Sequence, residues 1–240
     1  MKPYLSLIIP AYNEAKRLPP TLVDINKYLE KINFEYEIIV VDNNSKDATS
    51  EVVERLSHII KNLELVKLEA KGKGLAVKEG MLKATGEYRA FTDADNSISF
   101  DQIINALKHF SGDVDVVIGS RDVKGAHENQ VWYRRLAGNI GNLIIQTLLL
   151  PGLWDTQCPL KIFKAEVAEK VFSVSKIKHW GFDVEILSLA KKMGYKIKEI
   201  PAVFISAPGS GIKPITYIYV LLEVLKIKWW MITNKYKIKS

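Results

Sequence analysis

The first half of the chain alternates short β-branched apolar runs with longer stretches whose apolar residues recur at helical spacing. The apolar runs predict strands at 4–9, 36–42, 63–68, 87–92 and 114–119. The intervening stretches predict helices at 18–31, from about 47, at 74–84 and at 100–110. Such alternation is typical of an α/β fold, in which a mostly parallel sheet carries helices on both faces.

The second half of the chain is less regular. Its pattern predicts helices at 132–149 and 181–193, a strand near 196–205, and an apolar C-terminal segment at 215–232 that Glu223, Lys226 and Lys228 interrupt. No internal repeat or low-complexity linker separates the two halves. We therefore expect one continuous domain over residues 1–213, followed by a C-terminal helix and basic tail over 214–240.

Polar residues follow four of the predicted strands at the point where each strand ends. They are the residues of segments 10–14, 42–45, 93–95 and 120–121. In open α/β sheets, ligands bind outside the carboxyl ends of the strands. The sequence therefore predicts a ligand site at this edge of the sheet.

Composition and charge narrow the class of protein. The chain has 240 residues, 48% apolar and 25% charged, which is typical of a globular protein and argues against wholesale disorder. Cys158 is the only cysteine, which excludes an intrachain disulfide or a cysteine-based zinc site and fits a reducing compartment. The N-terminal residues have the pattern of a first strand and not of a signal peptide.

The net charge of +7 is unevenly distributed along the chain. Residues 1–120 carry 15 Lys and Arg against 18 Asp and Glu, whereas residues 121–240 carry 19 against 9. This asymmetry indicates two surfaces with different partners, or else basic residues that are merely solvated. We expect no nucleic acid partner, because no recognition-helix, zinc-finger or base-stacking pattern accompanies the charge.

Charged residues at the predicted edge indicate nucleotide and metal chemistry. Asp93 and Asp95, separated by one small residue after a strand, can share a divalent cation with a diphosphate, although solvated turn aspartates give the same pattern. Asp42 can accept a hydrogen bond from a base or a ribose, or can serve as a turn or cap residue. Lys71 and Lys73 lie in K-G-K-G at a helix start, where a diphosphate fits but a flexible basic loop is equally compatible.

Several motifs then resemble those of a known family. Y-L-S-L-I-I-P-A-Y-N-E (4–14), V-V-D-N-N-S-K-D-A-T (40–49), K-G-K-G-L-A-V-K-E-G-M (71–81) and T-D-A-D (92–95) resemble family 2 of the glycosyltransferases, which have the GT-A fold. D-T-Q-C-P-L-K-I-F (155–163), W-G-F-D-V-E-I-L (180–187) and P-G-S-G-I-K-P-I (208–215) resemble its dolichyl-phosphate β-glucosyltransferase branch, and the front half is also similar to the dolichyl-phosphate mannose synthases. The resemblance covers nearly the whole chain.

The resemblance implies an inverting hexosyltransferase that moves glucose from UDP-glucose to a polyprenyl or dolichyl phosphate, with Mn²⁺ or Mg²⁺ as cofactor. It divides the domain into a nucleotide-sugar half (1–120) and an acceptor half (121–213). The residues that it implicates are Pro10, Tyr12, Glu14, Asp42, Lys71 and Lys73 for the donor, Asp93 and Asp95 for ribose, metal and diphosphate, and Arg121, Arg134 and Arg135 for the acceptor phosphate. A lipid phosphate is already anionic near neutral pH, so that the reaction needs alignment and charge neutralisation more than a strong protein base.

The chain departs from the family pattern at four positions. Asn43 and Asn44 replace the second Asp and the Gly of the common V-D-D-G-S motif, and Ser97 stands where mannose synthases have a metal-binding Gln. Pro159 stands where glucosyltransferases usually have Gly. These departures leave the metal ligands beyond Asp93 and Asp95 open, and they put the shape of the acceptor loop in doubt.

Other functions remain compatible with the same residues. A mannose synthase would use GDP-mannose, and a transferase with a glycan or protein hydroxyl as acceptor would need a catalytic carboxylate, for which Asp155 and Asp183 are candidates. A nucleotidyltransferase is disfavoured because P-A-Y-N-E lacks the expected glycine-rich basic loop. A non-catalytic binding module is disfavoured because Asp93, Asp95 and Arg121 are intact.

The C-terminal segment predicts contact with a membrane surface. Trp229 and Trp230, followed by Lys235, Lys237 and Lys239, suit an amphipathic helix at the interface of an anionic membrane, with segment 138–150 beside it. The alternative is that both helices pack only on the core of the domain. We expect a cytoplasmic protein bound peripherally to the cytoplasmic face of a membrane.

Overall fold

A computed structural model of the chain describes residues 2–129, 132–205 and 214–238. Its strands are β1 (Leu5–Ala11), β2 (Tyr36–Asp42), β3 (Leu63–Lys67), β4 (Tyr88–Phe91), β5 (Val116–Ser120), β6 (His127–Asn129), β7 (Lys161–Lys164), β8 (Ile197–Pro201) and β9 (Val203–Ile205). Its helices are α1 (Leu18–Leu29), α2 (Thr49–Ser57), α3 (Lys73–Lys83), α4 (Phe100–Leu107), α5 (Trp132–Leu148), α6 (Ala165–Val174), α7 (Phe182–Lys192) and α8 (Pro214–Ile232).

Seven strands form one mixed, mostly parallel sheet in the order β3-β2-β1-β4-β7-β5-β8. β7 is antiparallel to both of its neighbours, and the other neighbouring pairs are parallel. β4 and β5 consequently run in the same direction, so that the carboxyl ends of β1, β2, β4 and β5 lie at one edge. A parallel pair of β6 and β9 forms a second, two-stranded sheet.

The sheet separates two layers of buried apolar side chains. Along β1, Ile8 belongs to one layer while Leu7 and Ile9 belong to the other, as the alternation of side chains along a strand requires. Helices α1 and α4 cover one face of the sheet, and α3, α6 and α7 cover the other. The predicted α/β architecture, with helices on both faces, is therefore confirmed.

The second half of the chain differs from its sequence prediction in four elements. Strands β6 and β7 and helix α6 were not predicted, and the strand predicted near 196–205 is two strands that belong to different sheets. Ala202 separates them, and its N–H donates to the carbonyl of Ser120 at the end of β5. The chain therefore leaves the large sheet at this residue and then pairs with β6.

Helix α8 packs on α5 and α7 through one face and leaves another apolar face exposed. Val224 and Ile227 are fully buried in the core. The exposed side carries a stripe at intervals of three and four residues, formed by Ile215, Ile218, Leu222, Leu225, Trp229 and Ile232, each 48–71% exposed. Across the three described ranges of the chain, no helix is both long enough and apolar enough to cross a bilayer. The P-G-S-G motif at 208–211 lies outside the described residues.

The chain after α8 is anchored to the core by one tyrosine. The hydroxyl of Tyr236, which is 3% exposed, donates to Glu185 Oε1 at 2.7 Å. Glu185, on α7, also accepts the backbone N–H groups of Lys176 and Ile177, both at 2.9 Å. Burial, followed by the charge of Glu185, raises the pKa of Tyr236, so that this side chain remains a hydrogen-bond donor.

Replacing Tyr236 with Phe should lower the free energy of unfolding by about 1–3 kcal/mol, because a buried carboxyl group loses a donor while the ring packing is retained. Urea unfolding at neutral pH would measure the difference. Tyr219→Phe, at a position 58% exposed on α8, is the matched control and should change stability by about 0.5 kcal/mol or less. Equal losses in the two variants would contradict the anchoring role.

Candidate active site

Three asparagines shape the loops that leave the sheet at the carboxyl edge. Asn13 follows β1, Asn44 follows β2 and Asn96 follows β4, with backbone φ angles of 56°, 60° and 56°. Asparagine adopts this left-handed conformation more readily than most residues. The presence of Asn44 where the family pattern has Gly is therefore compatible with a left-handed turn.

The loops after β1 and β2 are tied together by hydrogen bonds between backbone and side chains. The N–H of Asn13 donates to Ser45 Oγ at 3.0 Å, and the N–H of Lys46 donates to Asn13 Oδ1 at 2.8 Å. The N–H of Glu14 donates to Thr49 Oγ1 at 2.9 Å. These hydrogen bonds join the P-A-Y-N-E (10–14) and D-N-N-S (42–45) segments, which together form one wall of the site.

Asn43 connects this wall to the K-G-K-G loop. Its side-chain oxygen accepts the N–H of Gly72 at 2.6 Å, and the side chain is 5% exposed. An amide oxygen accepts this bond as a carboxylate would, so that Asn43 is compatible with the position of the second Asp in the family motif. Lys71 Nζ lies 3.5 Å from the ring centroid of Tyr12, which brings two predicted donor-binding residues together.

Lys73 and Asp93 form a close pair of opposite charges at the donor side of the edge. Lys73 Nζ lies 2.6 Å from Asp93 Oδ1, and both side chains remain partly exposed. Burial would lower the pKa of Lys73, but the negative charges of Asp93 and Asp183 outweigh it and raise that pKa. Lys73 therefore carries a fixed positive charge. It lies beside Asp93, one of the two carboxylates that are predicted to bind the metal and the diphosphate.

Close contact with the segment before α7 fixes the position of this lysine. A Cβ atom on Gly72 would lie 2.4 Å from the carbonyl oxygen of Lys178, and one on Gly74 would lie 2.6 Å from Cβ of Phe182. The N–H of Leu75 donates to the same carbonyl of Lys178 at 3.2 Å. The two glycines therefore allow the K-G-K-G loop (residues 71–74, the lysine loop below) to contact residues 177–182 directly.

Other predicted donor residues are held by local hydrogen bonds. Asp42 is 6% exposed, and its carboxylate accepts the N–H of Ser45 at 2.9 Å and the hydroxyl of Ser50. Glu14 binds the Arg17 guanidinium at 2.6 and 2.7 Å. Burial, together with the charges of Asp95 and Asp93, raises the pKa of Glu14 against the opposing effect of Arg17. Pro10 is buried in β1, in register with Val41 of β2.

Arg121, at the end of β5, is held by Asp155. Its backbone N–H and Nε donate to Asp155 Oδ2 at 3.1 and 2.6 Å, and its Nη2 donates to Oδ1 at 3.0 Å. Burial would raise the pKa of Asp155, but the charge and hydrogen bonds of Arg121 lower it. Arg134 and Arg135 belong to α5, but their side chains lie outside the described residues.

A buried ion pair behind the edge was not predicted from the sequence. Lys161 of β7 is fully buried, and its Nζ donates to Asp183 Oδ1 and to the carbonyl of Cys158, both at 2.7 Å. Burial raises the pKa of Asp183 against the opposing charges of Lys161 and Lys73. The only signal in the sequence was a lysine between the apolar residues Leu160 and Ile162.

The donor atoms at the edge fit a hard divalent cation that also binds a substrate diphosphate. Within the described ranges, no group of three or more His, Cys, Asp or Glu side chains could hold a metal ion. Two carboxylates, Asp93 and Asp95, with substrate phosphate oxygens completing the shell, match the usual binding mode of Mg²⁺. Ser97 offers its N–H to Asp95 Oδ1 at 3.1 Å, whereas its hydroxyl is buried without a partner among the described residues.

Comparison with known sequences identifies similar proteins. The sequence model of glycosyl transferase family 2 matches residues 6–172. The chain is 36% identical to a dolichyl-phosphate beta-glucosyltransferase from Dictyostelium discoideum over 99% of its own length and 77% of that protein. It is 31% identical to the human protein of the same name, over 98% of this chain and 78% of that one.

Comparison with solved structures confirms the GT-A fold. Glucosyl-3-phosphoglycerate synthase from Mycobacterium tuberculosis, in complex with Mn²⁺, UDP and glucosyl-3-phosphoglycerate, superposes with a TM-score of 0.71. The match covers 94% of this chain and 80% of that one at 14% sequence identity. At this identity the likeness shows the fold alone.

Replacing Asp155 with Asn should lower the free energy of unfolding at pH 7 by about 2–3 kcal/mol, because the partly buried guanidinium of Arg121 loses the charge of the Asp155 carboxylate. The lowered pKa of Asp155 means that its contribution is present above the ordinary value of 3.8 and is lost as the pH falls through the folded-state value. The difference between the two proteins should therefore shrink below pH 3.8, as measured by urea unfolding across pH.

Asp113→Asn, in an exposed pair with Lys196, should change stability by about 0.5 kcal/mol or less. A pH-independent difference between wild type and Asp155→Asn would refute the ion-pair explanation.

Proposed function

The chain belongs to glycosyl transferase family 2 and is a glycosyltransferase, and we propose that it transfers glucose from UDP-glucose to a polyprenyl phosphate such as dolichyl phosphate. The relatives that support this acceptor are named for dolichyl phosphate and match nearly the whole chain. Glucosyl-3-phosphoglycerate synthase, the enzyme of similar structure, has been solved in complex with UDP-glucose, which supports the donor.

The pairing of Lys73 with Asp93 is the observation that supports the donor site best. It places a fixed positive charge 2.6 Å from a carboxylate at the sheet edge where α/β proteins bind ligands. A nucleoside diphosphate leaving the sugar gains negative charge, which a preorganised cation stabilises. Lys71 lies over Tyr12 on the same side, where a nucleotide would contact both residues.

We propose that Asp93 and Asp95 would hold a divalent metal at the donor side of the edge. Such a metal supplies charge neutralisation of the departing diphosphate. Mn²⁺ accompanies UDP in glucosyl-3-phosphoglycerate synthase, which supports a divalent ion here. The two aspartates would hold the metal while Lys73 binds an outer diphosphate oxygen.

The acceptor phosphate is expected on the other side of the same edge. Arg121 extends from the end of β5, and its guanidinium is oriented by Asp155. An oriented guanidinium binds phosphate oxygens with fixed geometry. The phosphate is an anion and can attack the anomeric carbon itself, with inversion to a β-linked sugar. Arg134 and Arg135 remain predicted contributors to this site.

Incubation of the protein with Mn²⁺ or Mg²⁺, a short polyprenyl phosphate and one nucleotide sugar tests the proposal. UDP-glucose, UDP-GlcNAc and GDP-mannose are compared in parallel, and lipid-linked product is scored by mass. We expect product from UDP-glucose. Asp95→Asn, which keeps the shape of the side chain but removes a charged ligand, should lower the rate by about 100-fold or more.

Asp113→Asn removes an exposed carboxylate elsewhere and should retain the wild-type rate. Product from GDP-mannose alone would assign the chain to mannosyl transfer. The absence of lipid product from every donor would overturn the acceptor and indicate a glycan or protein hydroxyl instead.

We also propose that the exposed stripe of α8 lies on the surface of an anionic membrane. Its apolar residues include the exposed Trp229 and are followed by the exposed Lys235 and Lys237, as in helices that bind at an interface. Helix α5 packs beside α8 and exposes Ile140 and Leu143. A polyprenyl phosphate resides in a bilayer, so that this attachment would bring the enzyme to its acceptor. We place the enzyme on the cytoplasmic face.

The full-length variant Leu222→Ser/Leu225→Ser should bind vesicles of anionic phospholipid about tenfold more weakly or worse. Inserting one leucine side chain into an apolar environment is worth about 1.5–3 kcal/mol, and both residues are exposed before binding. Vesicle sedimentation at physiological salt measures the partition. Truncating α8 would be uninformative, because Val224 and Ile227 belong to the core.

Ile59→Ser is the matched control, because Ile59 is 80% exposed but lies at the end of α2. It should bind vesicles as the wild type does. Wild-type binding by the double variant would show that the stripe does not contact the membrane.

A further inference from the structure

Helix α8 contacts the segment before α7 through Glu223. The N–H of Gly181 donates to Glu223 Oε2 at 2.7 Å. Gly181 has φ −78° and ψ 0°, a conformation open to any residue, so that its backbone does not require glycine. A Cβ atom at this position would lie 2.8 Å from Cβ of Glu223. Glycine at 181 is therefore needed for the close approach of α8.

This segment, residues 177–182, ends at the first residue of α7. Its other side contacts the lysine loop. Gly72 and Gly74 bring the backbone of that loop against Lys178 and Phe182, and Leu75 donates to the carbonyl of Lys178. Backbone atoms form much of this contact, so that few flexible side chains can absorb a displacement. A shift of residues 177–182 should therefore move the lysine loop.

Lys73 lies at the end of this series of contacts. Its Nζ is 2.6 Å from Asp93 Oδ1 and 5.2 Å from the ring centroid of Trp180, the residue that precedes Gly181. Glu223 belongs to the helix with the exposed apolar stripe. It is nevertheless connected to the donor side of the site through its hydrogen bond to Gly181 and through the close contacts of residues 177–182 with Gly72 and Gly74.

We propose that Glu223 is a positioning residue for Lys73. By holding the N–H of Gly181, its carboxylate fixes residues 177–182, and these fix the lysine loop in the geometry that binds the donor diphosphate. The diphosphate part of this inference rests on the proposed function, whereas the mechanical connection does not.

Two measurements on the full-length protein test the connection. Hydrogen exchange followed by mass spectrometry should show faster exchange in peptides that cover 71–79 and 175–183 when Glu223 is replaced by Ala. The dissociation constant of UDP, measured with Mn²⁺ by calorimetry, should rise about tenfold, the loss typical of a removed supporting partner in a binding site. Glu223→Gln keeps an acceptor oxygen and should restore both properties towards wild type.

Gly181→Ala supplies an independent variant on the other side of the contact. Its methyl group displaces Glu223 and should cause the same two changes as Glu223→Ala. The double variant should be no weaker in UDP binding than either single variant, because both remove one contact. Should Glu223→Ala fail to fold, Gly181→Ala decides the question by the same two readouts.

Lys228→Met is the matched control on α8. Lys228 Nζ donates to the carbonyl of Leu148 at 2.7 Å, so that its loss loosens α8 from α5 without affecting residues 177–182. It should leave UDP binding and exchange at 71–79 unchanged. Faster exchange confined to α8 in Glu223→Ala, with unchanged UDP affinity, would overturn the proposal, as would equal effects from Lys228→Met. A wild-type protein that binds neither UDP nor GDP would contradict the proposed donor, and the exchange data would still decide the connection.

Discussion

Because β7 runs antiparallel to β4 and β5, those two strands point the same way, and their carboxyl ends lie beside those of β1 and β2. Asp93 and Arg121 can therefore face one cleft. The same direction brings the first residue of β7 to this edge, since Lys161 is in register with Phe91. A lysine buried there needs a counter-charge, and Asp183 at the start of α7 provides it. The direction of one four-residue strand thus determines which charges meet behind the site.

The parallel half of the fold was predictable because each strand is a continuous apolar run followed by a helix of clear periodicity. Strands β1, β2 and β3 begin and end within about two residues of their predicted positions. β6 and β9 have three residues each, and β7 has four with a lysine at each end, so that none of them shows a recognisable apolar run or period. The pairing of β6 with β9 joins segments far apart in the chain, and no local pattern encodes it.

The candidate site likewise has a part that the sequence predicts and a part that it does not. Residues at strand ends, such as Asp93 and Arg121, follow from position along the chain. Their supporting contacts do not, because the bonds of Asn43 to Gly72 and of Glu223 to Gly181 join elements that meet only after folding. Asn44 stands where the family pattern has Gly, and its backbone is in the left-handed conformation, which asparagine also tolerates. The sequence alone does not reveal that conformation.

Helix α8 combines two kinds of surface on one element. The exposed residues Ile218, Leu222 and Leu225 lie on one side, whereas Val224 and Ile227 are fixed by the core. Because neighbouring helical positions point about 100° apart, substitution on one side leaves the packing of the other intact. If the outer side lies on a membrane, as proposed, it can change with the composition of the bilayer while the inner side stays constant. Under the two proposals, lipid preference and catalytic geometry would be separable traits, although a single helix would carry both.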